Sequence, residues 1–394
     1  MNKNKWMKFL SYFLTVLLTA SVMTIYFDKK LDQEKKRYPA PSGKLNQLYE
    51  VIENKFADDP DMIAVSDAGA AAMVDAIGNR WSYYIPASQY EAHVQAANNE
   101  YVGVGITIRE DEESGDLEII DVVSGGPAEQ AGVQVKDLLR EVAGKSCAEL
   151  GRDGTANLVR GQAGTEVSIV VDRNGEKKEF TLKRSKVDVP VVASQVLDSG
   201  YGLITIKNFQ AKSFQETSEA VETLQKQNVK GIIFDVRFNP GGAKSELVSI
   251  LDYLLPEGEI FRSEAYNGTV TTDQSKASCI DIPMAVLVNA DSYSAAEYFA
   301  AALQEYEWAT VVGEKTTGKG YYQQTLRLKD GSAVNLSTGK YYTPSGLNLE
   351  GVGITPDVVV ELDEEAREDL FYGKLAPEED PQIKAAISAL ESQE

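Results

Sequence analysis

Serine chemistry is suggested by the tetrapeptide Asp-Ser-Tyr-Ser at residues 291–294 of this 394-residue sequence. It follows a β-rich run, AVLVN, and precedes the helical run AAEYFAAAL, so Ser294 lies where a helix is predicted to begin. The free N–H groups and positive dipole of a helix N-terminus could stabilise the oxyanion of an acyl transfer. A serine before a helix is also a common N-cap, and its position leaves that interpretation open.

A nucleophilic serine needs a base, and few types of base are available here. The sequence has 1 histidine, His93, which excludes triads and metal sites that require more. His93 lies in a predicted helical segment, far in sequence from the loops that follow strands, so lysine is the remaining candidate type. Lys319 lies in the glycine-rich loop 313–320 (GEKTTGKG) after the β-rich run ATVVG, although most loop lysines are simply solvated.

The loop 313–320 superficially resembles a nucleotide-binding P-loop but lacks its essential parts. Gly320 follows Lys319 where magnesium binding requires serine or threonine, and the next run, YYQQTLRL, has a strand pattern. The net charge of −21 argues against nucleic acid as a partner. Cys147 and Cys279 are far apart and lack metal-ligand spacing, so we expect no disulfide framework, no metal and no cofactor.

Alternating strand and helix patterns after residue 187 predict an α/β layer that positions these loops. The β-rich runs LITIKNF, GIIFDVR, AVLVN and ATVVG are separated by helical segments, one of which begins with the capping-box pair Ser213 and Glu216. Ligands of such layers bind beyond the carboxyl ends of the strands. Residues 238–242 (FNPGG) and 291–294 are therefore the candidate site loops.

The segments before residue 188 predict an anchor, a linker and two further domains. Residues 9–27 are mainly apolar and uncharged and follow Lys3, Lys5 and Lys8, which indicates a single membrane span with a cytoplasmic N-terminus and the remaining chain outside the cytoplasm. A cleaved signal peptide is the competing interpretation. Short β-rich runs and glycine-rich turns after residue 97 are typical of a small β-sandwich or barrel.

The whole chain is therefore predicted to be an α/β (α+β) multidomain protein of the cell membrane. Its predicted boundaries are 1–27 for the cytoplasmic stub and transmembrane anchor, 28–43 for the linker, 44–97 for a helical region, 98–187 for the β domain, 188–362 for the α/β core and 363–394 for a C-terminal helical region that packs on the core.

Three segments together resemble the carboxyl-terminal processing (tail-specific) serine proteases. They are FDVRFNPGG at 234–242, NADSYSAAEYFAAAL at 289–303 and GEKTTGKGYYQQ at 313–324. The likeness extends over about residues 44–392 and includes YVGVGITI, which is similar to part of a PDZ domain. It implies a crotonase-like α/β serine protease core that carries a PDZ-like peptide-binding domain.

The resemblance implies roles for individual residues. Ser294 matches the nucleophile, Lys319 the general base and Gln323 the side chain that orients the lysine. Backbone N–H groups of Ala295 and Gly241 would form the oxyanion hole, with Gly242 as the alternative to Gly241. A substrate's C-terminal carboxylate would bind the PDZ-like loop. The peptide-binding residues expected there are Val102, Gly103, Val104, Gly105, Ile106 and Arg160, of which Arg160 is alternatively a plain surface residue.

The function implied is an extracytoplasmic endoprotease that cleaves near the C-terminal region of protein substrates recognised by the PDZ-like domain. Burial would make Lys319 a neutral, competent base. Tyr293, Ala296 and Phe238 depart from the usual family pattern, so substrate preference does not transfer, but no catalytic group is missing. The alternatives are a catalytically silent PDZ-containing membrane adaptor and a crotonase-like binding or isomerising module. A homo-oligomer is compatible with the sequence.

Overall fold

The computed structural model describes residues 41–98, 100–110, 114–188 and 190–392, together with Met23, Tyr26 and Lys29. These residues fall into two compact units, divided in sequence between residues 77 and 78. Among the described residues no helix is both long and apolar enough to span a bilayer. The anchor predicted at residues 9–27 lies outside the described residues, apart from Met23 and Tyr26.

In the first unit, residues 41–77 form the helices α1 (Pro41–Lys55) and α2 (Met62–Asp75). The carboxylate of Asp61 accepts hydrogen bonds from the N–H groups of Ile63 (3.0 Å) and Ala64 (3.1 Å). This N-cap supplies acceptors for N–H groups that have no partner within the first turn, and it sets the start of α2.

The second unit includes a β domain with a six-stranded antiparallel sheet. Its strands are β3 (Ile106–Glu110), β4 (Leu117–Val122), β5 (Leu138–Val142), β6 (Lys145–Ser146), β7 (Glu166–Arg173) and β8 (Glu176–Lys183). They pair in the order β3-β4-β5-β7-β8, with β6 on β5. Helix α5 (Cys147–Val159) packs against β3, β4 and β5, while α4 (Pro127–Ala131) packs against β8. β3 is therefore an edge strand beside a helix.

A two-stranded ladder of β2 (Glu100–Gly103) and β9 (Ser185–Asp188) pairs the two ends of the β domain. Residues 44–97, for which the sequence predicts a helical region, also contain a strand, β1 (Tyr83–Ile85), which is followed by α3 (Ala87–Ala97). β1 pairs antiparallel with a strand of the core. A strand of three residues is too short to show the alternation of apolar and polar side chains that identifies a strand in a sequence. The strand with which it pairs is also distant in sequence.

A six-stranded sheet forms the centre of the α/β core. Its strands, in hydrogen-bonded order, are β10 (Val192–Val196), β11 (Gly202–Ile206), β12 (Ile232–Asp235), β15 (Met284–Val288), β16 (Ala309–Gly313) and β19 (Val358–Val359). β10 is antiparallel to β11, and the other pairs are parallel. β12 and β15 are buried at every position, as expected of parallel strands covered on both faces.

Helices cover both faces of this sheet. Side chains on one face, such as Phe234 and Val286, pack with α6 (Ser213–Lys226), α7 (Lys244–Leu254) and α8 (Ala295–Glu305). Side chains on the other face pack with α10 (Pro381–Glu391), which follows α9 (Glu364–Phe371). α8 is buried from Ala295 to Leu303, so a helix central to the core begins directly after Ser294.

An antiparallel sheet of five strands lies beside the α/β layer. It contains β1, β13 (Gly258–Ala265), β14 (Val270–Ser275), β17 (Tyr321–Arg327) and β18 (Ala333–Tyr342). β18 pairs with β1, β13 and β17. The loop that carries Lys319 leads into β17, so the sheet fixes one end of that loop.

A buried ion-pair network joins α10 to the end of β12. The guanidinium of Arg237, 6% exposed, donates to both carboxylate oxygens of Asp235 (2.9 and 2.6 Å), to Asp380 (2.7 Å) and to Gln382 (2.8 Å). Asp380 is also the N-cap of α10. Removing one partner of such a network typically lowers the free energy of unfolding by about 3–5 kcal/mol. These contacts therefore hold the start of the loop after β12 rigidly.

Candidate active site

Three loops meet at one edge of the core sheet. Residues 236–243, 289–294 and 314–320 follow β12, β15 and β16, which are adjacent parallel strands. The carboxyl ends of parallel strands lie at the same edge, so the loops bring Gly241, Ser294 and Lys319 into one region. This is the edge at which the sequence predicts the site.

Hydrogen bonds tie the three loops to one another. The N–H of Tyr293 donates to the carbonyl of Asn239 (3.1 Å), and the hydroxyl of Ser292 donates to the carbonyl of Val236 (2.7 Å). The N–H of Thr317 donates to the carbonyl of Ser292 (3.2 Å). A shift of one loop would therefore displace the other two.

Ser294 has a strained backbone conformation at the start of α8. Its φ of 59° and ψ of −124° lie outside the regions that non-glycine residues normally occupy, and strain of this kind is concentrated at functional sites. Its residue exposure is 7%. A methyl group at Gly241 would lie 2.7 Å from Cβ of Ser294 and 2.8 Å from the nitrogen of Ala295, so only glycine fits against this turn.

A buried carboxylate, that of Glu297, joins the loop of Ser294 to the loop of Lys319. One oxygen accepts from the N–H groups of Ser294 (2.8 Å) and Lys319 (2.8 Å). The other accepts from the N–H of Gly318 (2.7 Å) and the hydroxyl of Thr316 (2.6 Å). Burial raises the pKa of Glu297, and these hydrogen bonds act in the opposite direction. Glu297 is thus a positioning residue for both candidate catalytic groups.

The N–H groups of the predicted oxyanion hole differ in availability. The N–H of Gly241 donates to the side-chain oxygen of Asn239 (2.8 Å), and its carbonyl accepts from Phe209. Within the described residues the N–H groups of Gly242 and Ala295 have no acceptor. In this arrangement the free donors are therefore Gly242, the alternative expected from the sequence, and Ala295.

Lys319 is partly buried, and in the described part of the chain its amine forms no ion pair with a carboxylate. Burial lowers the pKa of Lys319 to about 8, although Glu350 and Glu297 oppose this shift; nearby Arg80 contributes to it. Its Nζ lies 4.7 Å from the ring centroid of Trp81. In the described part of the chain Nζ makes no hydrogen bond or ion pair, so the amine can exchange a proton without breaking one.

Ser294 and Lys319 line one cavity of about 490 Å³ together with Gln323 and His93. The amide nitrogen of Gln323 donates to the carbonyl of Tyr321 (3.2 Å) and to the hydroxyl of Ser337 (3.0 Å). It does not donate to Lys319. His93, which sequence reasoning sets aside, has Nε2 at 3.2 Å from Oγ1 of Thr325. The cavity therefore brings all three predicted catalytic residues together and adds the histidine.

The predicted peptide-binding loop leads into the edge strand β3. The carbonyls of Val104 and Gly105 accept from Ala128 (2.9 Å) and Val123 (3.0 Å). The N–H groups of Val104 and Gly105 have no acceptor among the described residues, as carboxylate binding requires. Val102, Gly103 and Ile106 flank them in β2 and β3.

Arg160 follows directly after α5 and does not contribute to this loop in the structure. Its side chain is exposed, and in the described part of the chain it meets no carboxylate. The bridge to the core that the sequence allows for Arg160 is absent from this arrangement.

Sequence reasoning missed several residues that shape the site. They include Glu297, Glu350, Trp81 and Asn239. The sequence does contain a pattern that indicates a structural role for Glu297, because Ser294-Ala-Ala-Glu297 matches the Ser-x-x-Glu spacing of a capping box. Trp81 had none, since its contact with Lys319 depends on how β1 joins the core.

Comparison with known proteins gives the class of the molecule. The model of Peptidase family S41 matches residues 200–360, and that of the PDZ domain matches residues 118–173. The probable CtpA-like serine protease of Staphylococcus aureus (strain MSSA476) is 30% identical over 365 residues, which cover 91% of this chain and 73% of that protein.

Two further similarities are one relative by sequence and one solved structure that shares the fold. The carboxy-terminal processing protease CtpA of Bacillus subtilis (strain 168) is 30% identical over 368 residues, covering 91% of this chain and 78% of that protein. A putative S41 protease from Bacteroides fragilis NCTC 9343 shares the fold, with a TM-score of 0.55 and 15% identity, over 88% of this chain and 97% of that one.

The chain belongs to peptidase family S41. It is a serine endopeptidase of the C-terminal processing protease family and contains a PDZ domain. The family expected from the three motifs, the mixed α/β multidomain architecture and the enzyme class are thereby confirmed.

The role assigned to Glu297 leads to a prediction for Glu297→Gln. Whichever way the amide is turned, at least one buried N–H donor loses its acceptor, so the free energy of unfolding should fall by about 1–3 kcal/mol. Displacement of Ser294 or Lys319 should also reduce kcat by about 10- to 100-fold. Urea unfolding and cleavage of an unfolded protein substrate measure the two effects.

Glu307→Gln is the matched control, because Glu307 lies just beyond the end of α8 and is exposed. It should behave as the parent does. Parent-like stability and kcat in Glu297→Gln would contradict the positioning role.

Proposed function

We propose that this endopeptidase uses Ser294 as nucleophile and Lys319 as general base, with Gln323 orienting the lysine. The observation that carries the proposal is the carboxylate of Glu297, which holds the backbones of Ser294 and Lys319 while both side chains line one cavity. The pKa of Lys319, lowered to about 8, supplies neutral amine near physiological pH.

In the first half-reaction the hydroxyl of Ser294 attacks the scissile carbonyl carbon and its proton passes to Nζ of Lys319. The oxyanion of the tetrahedral intermediate accepts from the N–H groups of Ala295 and Gly242. The C–N bond then breaks, and the Lys319 ammonium returns the proton to the leaving amine. The product of this step is an acyl-enzyme on Ser294.

In the second half-reaction water hydrolyses the acyl-enzyme. Neutral Lys319 takes a proton from the water as it attacks, and the ammonium then protonates the departing oxygen of Ser294. Gln323 would keep the lysine in register through its side-chain oxygen, since its amide nitrogen is already bonded to the Tyr321 carbonyl and a serine hydroxyl. The enzyme is thereby regenerated.

Substrate recognition is proposed to involve the PDZ domain. A peptide can add to the edge strand β3 as a further antiparallel strand, and its C-terminal carboxylate can accept from the free N–H groups of Val104 and Gly105. The substrate class is therefore protein or peptide chains with accessible C-termini, cut at the Ser294 site.

The observation that favours a silent adaptor is the position of Lys319. Its amine lies over aromatic rings, and in the described part of the chain no hydrogen bond joins it to Ser294. An adaptor would keep the PDZ groove and have no peptidase activity, so the cleavage assay separates the two functions.

Cleavage should be lost in Ser294→Ala and Lys319→Ala of the full-length chain. A general base contributes about 10²–10⁴-fold, so Lys319→Ala should reduce the rate by at least that range. The assay is digestion of β-casein, with cut sites located by mass spectrometry. A peptide substrate with a free C-terminus should be cut faster than its amidated form, because amidation removes the carboxylate.

His93→Gln controls for the other possible base in the cavity and should retain cleavage. Activity that survives in Ser294→Ala would exclude the proposed nucleophile. Activity that is lost in His93→Gln and kept in Lys319→Ala would move the base role to His93. If the parent protein cleaves nothing but still binds peptides, the adaptor function would be established.

The location proposed for the enzyme is the outer side of the cell membrane, with residues 9–27 as the anchor. The support is the uncharged length of this segment and the three lysines before it. An external protease added to intact cells, after removal of any cell wall, should digest the catalytic domain. Digestion only after lysis would contradict this orientation, and release of the chain into the medium would indicate a cleaved signal peptide.

A further inference from the structure

Two aromatic rings lie next to each other on one side of the amine of Lys319. Its Nζ lies 4.7 Å from the ring centroid of Trp81 and 5.6 Å from that of Tyr293. The two rings are stacked, with centroids 5.8 Å apart and an interplanar angle of 25°. We infer that Trp81 and Tyr293 form an aromatic clamp, a pair of adjacent rings on one side of the amine, that positions the amine of Lys319 and shields that side of it from water.

The clamp is built into the site by contacts on both sides. The indole N–H of Trp81 donates to the carboxylate of Glu350 (3.2 Å). The same carboxylate group accepts from the N–H of Gly320, which follows Lys319 (2.8 Å). Tyr293 directly precedes Ser294, and its N–H is fixed on Asn239. The rings therefore move with the base loop and the nucleophile loop, respectively.

Arg80 strengthens this arrangement from the same segment as Trp81. Its guanidinium carbon lies 4.1 Å from the Trp81 centroid, and the guanidinium donates to the carbonyl of Gly318 (3.2 Å). The segment that precedes β1 is thus connected to the loop of Lys319 by a hydrogen bond as well as by the ring contact.

An aromatic clamp suits a lysine that must act as a base. A carboxylate in contact with Nζ would favour the ammonium strongly, whereas ring faces attract the cation weakly and exclude water. The clamp therefore holds the side chain in place and leaves the neutral amine accessible. This step rests on the proposed function, in which Lys319 must lose its proton before Ser294 attacks.

Other charged and titratable groups face this amine and must be considered with the clamp. Glu350 and Glu297 favour the charged lysine and Arg80 opposes it. Burial, with a contribution from Asp291, raises the pKa of the Tyr293 hydroxyl, so this group stays neutral over the range in which lysine titrates. The remaining titratable groups that line the cavity are Tyr83, His93, Tyr322 and Tyr341.

The test compares Tyr293→Ala, Tyr293→Phe and Tyr293→Leu in full-length Ser294→Ala protein. The side-chain signal of Lys319, labelled with carbon-13 and assigned by its absence in Lys319→Ala, reports its pKa by NMR titration. Tyr293→Ala should raise this pKa by about one unit, because water reaches the amine. Tyr293→Phe should leave it unchanged. Tyr293→Leu should leave it unchanged or lower it, since shielding remains while the ring face is lost.

The same three substitutions in the active parent give a kinetic readout. The rising limb of kcat/KM with pH should move upward by about one unit in Tyr293→Ala, which is about a tenfold loss near pH 7. Tyr293→Phe should restore the parent profile. An unchanged Lys319 titration in Tyr293→Ala, or a lower rate without a shifted limb, would overturn the clamp and leave Tyr293 a structural residue.

Failure of the clamp and failure of the proposed function are distinguishable. If Lys319→Ala keeps full cleavage while Tyr293→Ala still raises the lysine pKa, the clamp stands and the base assignment fails. If cleavage depends on Lys319 but the pKa of Lys319 is the same in Tyr293→Ala as in the parent, the base assignment stands and the clamp fails. Should Tyr293→Ala not fold, Trp81→Ala provides the second test, because removal of the other ring should also raise the pKa of Lys319, and an unchanged pKa there would overturn the clamp.

Discussion

The carboxylate of Glu297 is the contact on which the geometry of the site depends. It lies in the first turn of a buried helix and accepts from the backbones of Ser294 and Lys319, which come from loops after two different strands. The side chains proposed as nucleophile and base lie on separate loops and need such a link, because a displacement of about 1 Å can cost 100-fold in rate. The link acts through the backbone, so both side chains stay free to react.

Other features of the core keep this contact in register. The strained turn at Ser294 persists because Gly241 lies against it, where any larger residue would clash. The loop of Gly241 is in turn fixed by Arg237, whose guanidinium joins the end of β12 to the C-terminal helix. The C-terminal region is therefore connected through buried charge to the loop of Gly241, although it provides none of the proposed catalytic groups.

The sequence was sufficient for the α/β core, the loops after its strands and the three catalytic candidates, because local periodicity and the three motifs lie within short segments. It was insufficient where a contact joins distant segments. Trp81 reaches Lys319 only because β1 adds to β18, and a three-residue strand has no readable pattern. The engagement of the Gly241 N–H by Asn239 likewise depends on a turn geometry that residue types do not determine.

The most direct test of Ser–Lys catalysis is the pH dependence of acylation under single-turnover conditions. The rate should rise with pH as a single ionisation with a midpoint near 8, the value to which burial lowers the pKa of Lys319, since the neutral form is the reactive one. Parent and His93→Gln should give the same curve. A rate that no longer rises with a midpoint near 8, or a pH dependence in the parent that is lost in His93→Gln, would contradict the lysine base and assign the proton transfer to histidine.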